Sequence, residues 1–331
     1  NYGYTGLYRS SGLKILRFPA GNWGDGNDIT NVQLADFIDL CKKVGAEPMI
    51  EVRLYPSDPV KAANLVRVCR LENYGVKYWC IGNEPNLYER TETGWGGQVW
   101  RPKLRPYTVD DYCRDFRLYS TAMKNEDPSI KIVGPEVSIP KNKNGYVWPE
   151  LDSKQVPWIE GFLDRCGSMV DIVSIHHYPF PREIVSTDVY KDWTASDLLD
   201  NPPEWDSLLS QLRSAIKART GKDLPIAITE INSHWNEKSG GEATAETLVS
   251  ALWYADVLGR LVNNNAAIVN FFCLQGDGNL TYIDSKGLPK WVYYTFIMYT
   301  RYGNIQVKCT SSEKLLAAYA SLTETGVLSI M

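Results

Sequence analysis

The sequence predicts an α/β fold built on a parallel sheet, and three observations carry that expectation. Short apolar runs alternate with amphipathic helical stretches along most of the chain, the order of a parallel sheet with crossover helices. The apolar runs are continuous and rich in aromatic and β-branched residues, as strands buried on both faces are. The loops that carry chemically active residues follow strands, at the sheet edge where such folds bind ligands.

Taken in order, residues 1–11 carry helix-end or loop chemistry, and Lys14-Ile15-Leu16-Arg17-Phe18 is the first strand, closed by the loop 19–25. Thr30 caps a helix over 31–44, with Leu34, Phe37, Ile38 and Cys41 on one face and Gly45 at its end. Residues 48–52 form the next strand, and Asp58 caps the helix after it. The run 76–81 is a third strand that stops abruptly at Gly82-Asn83-Glu84-Pro85. A polar loop, 90–105, leads to a helix over 109–125 capped by Thr108. Strands follow at 130–133, 171–175, 224–231 and 266–272, with helices at 158–166, 205–220, 243–263 and 291–302.

That makes seven parallel strands. A (β/α)8 TIM barrel needs one more, and the expectation is that the missing first strand precedes Asn1. An open seven-stranded sheet is the rival. Residues 305–309 and 315–331 alternate like antiparallel strands, the start of a C-terminal β-domain. The expected division is a barrel over 1–303 and partial β-sandwich strands over 304–331.

Bulk properties narrow the partners. The 331 residues carry a net charge of −4, which argues against nucleic acid or an anionic membrane surface. No stretch of about 18 apolar residues exists, so no membrane span is expected. The seven cysteines sit mostly inside apolar patterns without a CxxC pair, which reads as buried free thiols. No signal peptide opens the sequence, yet the expected compartment is secreted or periplasmic. The oligomeric state is not legible.

Two strands end in glutamate: Glu84 after 76–81, and Glu230 within Ile226-Ala227-Ile228-Thr229-Glu230-Ile231-Asn232. A closed barrel can bring two strand ends face to face across a narrow mouth. Paired carboxylates there are the reagents of glycosidic cleavage, one protonated to donate to the leaving oxygen and one ionised to attack. Arg17 shares strand parity with Ile15 and so points inward if Ile15 does. A buried arginine needs a carboxylate; Glu230 is the first choice, with Asp25 and Glu51 as alternatives. His176 and Tyr178 share one strand face and His177 takes the other. Tyr178 is placed to donate to a carboxylate nucleophile and His176 to meet a sugar hydroxyl. Asn83, beside Glu84, suits a 2-hydroxyl. Asn22, Trp23, Trp95 and Trp235 lie in loops after strands and are candidate sugar contacts. A metal reading, His176 and His234 with a glutamate, competes, but no HExxH or comparable spacing supports it, and no metal or cofactor is expected.

These residues resemble the retaining glycoside hydrolases of clan A, and within it families 39 and 51: β-xylosidases, α-L-arabinofuranosidases and related endo-acting enzymes. Leu16-Arg17-Phe18-Pro19-Ala20-Gly21-Asn22 is similar to their second-strand motif, and Ile81-Gly82-Asn83-Glu84-Pro85-Asn86-Leu87 to their acid/base motif. Residues 171–179 resemble their Ser-x-His-x-Tyr-Pro pattern, Thr229-Glu230 their nucleophile strand, and 287–296 the segment after strand eight. The resemblance implies a (β/α)8 barrel, Glu84 as acid/base and Glu230 as nucleophile, acting on an oligosaccharide or polysaccharide by double displacement. Two departures stand out. Ala20 replaces a common second glycine, and Asn270-Phe271-Phe272-Cys273 lacks the tryptophan that usually floors the subsite of the cleaved sugar. A carbohydrate-binding protein on a hydrolase scaffold is the alternative from another class; a His/Glu metallohydrolase is the third.

Overall fold

The computed structural model describes residues 2–331 except 55, 89–91, 94–98, 102–106, 143, 182, 187–188, 236–239, 277 and 314–315. Its centre is a parallel sheet of seven strands: β1 (Ile15–Phe18), β2 (Glu47–Val52), β3 (Tyr78–Ile81), β4 (Lys131–Ile139), β5 (Ile172–His177), β6 (Ile226–Ile231) and β7 (Ala266–Phe271). Their spatial order is their chain order. β7 curls back against β1, so the sheet nearly closes into a barrel.

The helices form an outer layer: α1 (Thr5–Ser10), α2 (Gly21–Gly26), α3 (Asn31–Val44), α4 (Pro59–Leu71), α5 (Val109–Glu126), α6 (Trp158–Cys166), α7 (Ala195–Asp200), α8 (Pro203–Thr220), α9 (Leu248–Asn263) and α10 (Trp291–Tyr299). Local chemistry sets their ends. Thr30 and Gln33 form a reciprocal capping box at α3, and Gly45 closes that helix with φ 83°, a conformation that disfavours a side chain. Asp58 accepts from the Lys61 amide at α4, and Thr108 pairs with Asp111 at α5. The larger apolar cluster fills the space between helices and sheet, with Trp79, Phe116, Phe162, Trp205 and Trp253 fully buried in it.

Several elements differ from the sequence expectation. The strand expected over 130–133 runs on to Ile139 through Pro135. Its register against β5 shifts between Pro135 and Val137, and that irregularity accommodates a residue with no amide hydrogen. The helix expected from 243 starts at Leu248, because Ser233 Oγ takes the Ala243 carbonyl and Thr247 caps the helix instead. The loop expected over 19–25 contains α2. The helix expected to reach residue 302 ends at Tyr299.

After α10 the chain forms a three-stranded antiparallel sheet: β8 (Ile305–Val307), β9 (Ala320–Leu322) and β10 (Leu328–Ile330). All seven cysteines are free; five are buried, and Cys273 and Cys309 are partly exposed. Among the described residues no helix is long and apolar enough to cross a membrane.

Candidate active site

The sheet interior is layered. Ile15, Met49, Cys80, Val133, Ile172, Ala227 and Ile268, one from each strand, pack into a small apolar floor separate from the main core. Toward the C-terminal strand ends the next inward side chains are polar: Arg17, Glu51, Glu136, His176 and Glu230. Strand alternation explains most of this. Arg17 follows Ile15 by two residues, Glu51 follows Met49 by two, and His176 follows Ile172 by four.

Arg17 is the hub, with its side chain only 3% exposed. Its Nη2 lies 3.0 Å from Glu51 Oε2, 3.0 Å from Glu136 Oε2 and 2.9 Å from Asn83 Oδ1, to which it donates. Its Nη1 donates to Glu230 Oε2 at 3.3 Å. Thus Glu230 and Glu51 both partner Arg17, whereas Asp25 accepts from the Leu54 amide at 3.5 Å. His176 bridges the carboxylates: Nε2 is 3.1 Å from Glu136 Oε2, and Nδ1 is 3.3 Å from Glu84 Oε1 and 3.9 Å from Glu230 Oε2. The Tyr178 hydroxyl donates to Glu230 Oε1 at 2.5 Å. Asn83 Nδ2 donates to Asn22 Oδ1 at 3.4 Å.

Three backbone irregularities aim the carboxylates. Glu84 has φ 47° and ψ 55°, and its amide donates to the Glu136 carbonyl at 2.9 Å. Glu136 has φ 60° where the β4–β5 register slips. A second slip, between Ile228 and Glu230, separates β6 from regular pairing with β5. Non-glycine residues in the left-handed region and strand bulges both concentrate at functional sites.

The electrostatics follow from burial and contact. Burial pulls His176 down, but Glu230, Glu136 and Glu84 outweigh it and hold the imidazole up at about 9. Burial pushes Glu136 up, yet Arg17 and His176 win and hold it at about 2. Glu51 touches the same arginine, but burial dominates there, reinforced by Asp25, and its carboxyl is raised well above the ordinary range. The difference is geometric: neither Glu51 oxygen has a hydrogen-bond partner, whereas Glu136 Oε2 also meets His176. Burial likewise raises Glu230, with His176, Arg17 and Tyr178 opposing and Glu84 reinforcing.

The remaining predicted residues fall in different places. His177 faces away from the sheet interior, with Nδ1 2.8 Å from the Ile139 carbonyl and Nε2 2.9 Å from Glu204. Trp23 and Trp235 are exposed at 36% and 47%, with room to meet a ring from solvent. Trp95 lies outside the described residues. Residue order does not single out Glu136, because strict alternation from Val133 turns it outward. Nor does it single out Asn270. It lies two residues beyond Ile268, and its buried Oδ1 has no hydrogen-bond partner.

One group of donors among the described residues is compact enough for a metal ion: Glu84, His176 and Glu230, with one atom of each within 4.8 Å of the others. His234, expected in such a set, is not in it; its ring stacks on Trp235 at 6.2 Å. Nor does the compact group suit a cation. Both imidazole nitrogens face carboxylates, the ring favours its protonated form, and the Arg17 guanidinium already sits against Glu230. The same distance has another meaning: carboxylate oxygens of Glu84 and Glu230 approach within 4.8 Å.

No family model matches the chain. An intracellular exo-α-(1→5)-L-arabinofuranosidase of Acetivibrio thermocellus is 25% identical over 273 residues, 68% of this chain and 47% of that protein. The chain therefore spans about half the length of this curated relative. Among solved structures, an α-L-arabinofuranosidase from Thermotoga maritima superposes with a TM-score of 0.73 at 20% identity, over 99% of this chain and 74% of that one. A monomeric β-xylosidase from Caulobacter crescentus gives 0.69 at 15%, over 97% of this chain and 68% of that one. The chain is thus similar in sequence to an arabinofuranosidase and in fold to these two glycosidases. It shares with them a parallel sheet that is nearly a closed barrel. The curated relative's name places that protein inside the cell, which sits poorly with the secreted or periplasmic expectation.

Proposed function

We propose that this chain is a retaining glycoside hydrolase that cleaves O-glycosidic bonds of an oligosaccharide or polysaccharide, with Glu230 as nucleophile and Glu84 as acid/base. The observation that carries the proposal is the approach of the two carboxylates within 4.8 Å. Retaining enzymes hold their carboxyls about 5–5.5 Å apart, and inverting ones about 6.5–9.5 Å, to leave room for a water. Glu230 is the better nucleophile because Tyr178 and Arg17 both donate to it and favour its ionised form. Glu84 is the more exposed of the two, 12% against 8%, as suits a group that exchanges protons with a leaving group and then with water.

In the first step Glu230 attacks the anomeric carbon while Glu84 gives its proton to the departing oxygen. In the second, Glu84 takes a proton from water, the water oxygen bonds to the anomeric carbon, and Glu230 leaves as a carboxylate. Asn83, held by Arg17, is the contact for the 2-hydroxyl. Asn22, Trp23 and Trp235 are the further sugar contacts, with the exposed Trp23 and Trp235 indoles as stacking surfaces, whereas the buried His176 and Tyr178 act through the carboxylates they touch.

The seven strands are read as seven of the eight of a (β/α)8 TIM barrel. Residues 1–303 form the catalytic barrel and 304–331 belong to an accessory β-domain. The curated relative and the neighbouring structures point to arabinofuranosides or xylosides as the first substrates to try. A polysaccharide calls for a secreted or periplasmic setting, whereas an oligosaccharide taken up by the cell fits the intracellular one.

The test is a pair of variants assayed on aryl glycosides. Glu84→Ala and Glu230→Ala each abolish hydrolysis while the fold persists by circular dichroism. Azide restores turnover only to Glu84→Ala, because a small anion can attack the glycosyl-enzyme without base assistance. Near-normal turnover by either variant refutes the assignment, and glycan binding with no turnover by the unaltered protein makes it a binding protein.

A further inference from the structure

We propose that Glu136 is a positioning residue: a single carboxylate that grips Arg17 and His176 together, and so aims Arg17 at Glu230 and His176 at Glu84. The inference rests on the reading of Glu84 and Glu230 given above. Glu136 Oε2 is 3.0 Å from Arg17 Nη2 and 3.1 Å from His176 Nε2. The opposite nitrogens of those two side chains, Arg17 Nη1 and His176 Nδ1, are the ones that meet Glu230 and Glu84, both at 3.3 Å. Glu136 therefore stands behind both contacts. It is 0% exposed, so it is placed to act through its neighbours and not on a sugar.

Its backbone adds a third hold. The Glu136 carbonyl accepts from the Glu84 amide at 2.9 Å, and its own amide donates to Ser174 Oγ at 3.1 Å. The left-handed φ of 60° and the register slip beside it turn the side chain into the sheet interior. Such a conformation in a glutamate is strained and persists where the surroundings over-determine it. Glu51 does not duplicate the role, since it pairs with Arg17 and not with His176.

The charged and titratable groups around Glu136 are Arg17, His176, Glu51, Cys80 and Tyr112, and those around His176 are Glu84, Glu136, Glu230 and Arg17. Removing the Glu136 charge leaves His176 with one fewer anion at hydrogen-bond distance, so its imidazole must release its proton at lower pH. Loss of aim at both catalytic carboxylates slows the chemical steps and leaves groups that touch only substrate in place.

The experiment uses Glu136→Gln, close in shape but uncharged, and Glu136→Asp, charged but one methylene shorter. The chain has three histidines, so ring-labelled protein gives three NMR titrations, assigned with His177→Gln and His234→Gln. Expected for Glu136→Gln is a His176 titration moved down from about 9 toward the ordinary range. On an aryl glycoside, kcat falls on the order of 100-fold, as for a misplaced catalytic group, at nearly constant KM. Glu136→Asp falls between the variant and the unaltered protein on both readouts, and it decides the matter if Glu136→Gln does not fold. An unmoved His176 titration overturns the proposal, as does an unchanged kcat. If the unaltered protein hydrolyses no glycoside, the hydrolase reading fails, and the histidine titration still decides whether Glu136 grips His176.

Discussion

Tyr178→Phe isolates one hydrogen bond at the proposed nucleophile. The phenol is buried and donates to Glu230 Oε1, and phenylalanine keeps the ring while removing the donor. A hydrogen bond to a charged group contributes about 1.5–3 kcal/mol. At about 1.36 kcal/mol per pKa unit, its loss raises the Glu230 carboxyl by roughly one to two units. The direction follows from the site: burial has already raised this carboxyl, and removing a donor to its ionised form raises it further. The ionised nucleophile is then lost at higher pH, so the acid limb of kcat/KM moves toward alkaline pH by the same one to two units. That limb belongs to the interacting Glu84–Glu230 pair, and the shift between proteins is the quantity to read. Stability supplies a second readout of the same energy. Near neutral pH the variant unfolds at lower temperature, because a buried Glu230 charge has lost a donor. The gap closes as pH falls through the raised range in which buried Glu230 protonates in the two folded proteins, and it is gone by the ordinary carboxylate range. The assay is a pH profile on an aryl glycoside with thermal melts across the same range. A folded variant with an unmoved acid limb refutes the reasoning, since Tyr178 then does not support charge on Glu230.

Two further outcomes follow from the same geometry. Glu51→Gln is expected to raise the melting temperature at pH 8 by a few degrees, with about 1 kcal/mol corresponding to roughly 2–4 °C at this size. Burial raises the Glu51 carboxyl, so the folded state favours its neutral form; that cost is absent below the ordinary carboxylate range, and the difference vanishes near pH 4. A lower melting temperature at pH 8 means that Glu51 is an indispensable charged partner of Arg17. Trp23→Ala and Trp235→Ala are expected to raise KM roughly tenfold each, about 1.4 kcal/mol, with kcat within about twofold. A loss confined to kcat places the exposed indoles outside the sugar path.

Much of this arrangement is legible in residue order alone, because it depends on period. Parity from Ile15 sends Arg17 inward, and there it meets Glu51, Glu136 and Glu230. Parity also separates His176 from His177, one toward the carboxylates and one toward Glu204 on α8. The helices whose starts carry Thr30, Asp58 and Thr108 begin where those caps stand, since a side-chain acceptor for the first amides is a local property. What period cannot express is its own interruption. Glu136 is the case in point: the bulge after Pro135 and a positive φ reverse its direction, and both depend on pairing with β5, about forty residues away. The proline was the available signal, since a proline inside a sheet strand marks a bulge or an edge.

The interrupted positions also settle how the rim balances its charge. Four carboxyls, Glu51, Glu84, Glu136 and Glu230, contact Arg17 or His176. Fully ionised, four anions and two cations leave two uncompensated negative charges in a buried site, a state that desolvation opposes strongly. Neutrality therefore requires two protons. Glu136, held between both cations, is the worst place for either, and Glu51, raised by burial, is the better place for the first. The second falls to the Glu84–Glu230 pair. One proton shared by two close carboxyls leaves one acid and one anion, the resting state that double displacement starts from. Glu136 thus serves the pair twice, by aiming Arg17 and His176 and by leaving the shared proton no better place to go.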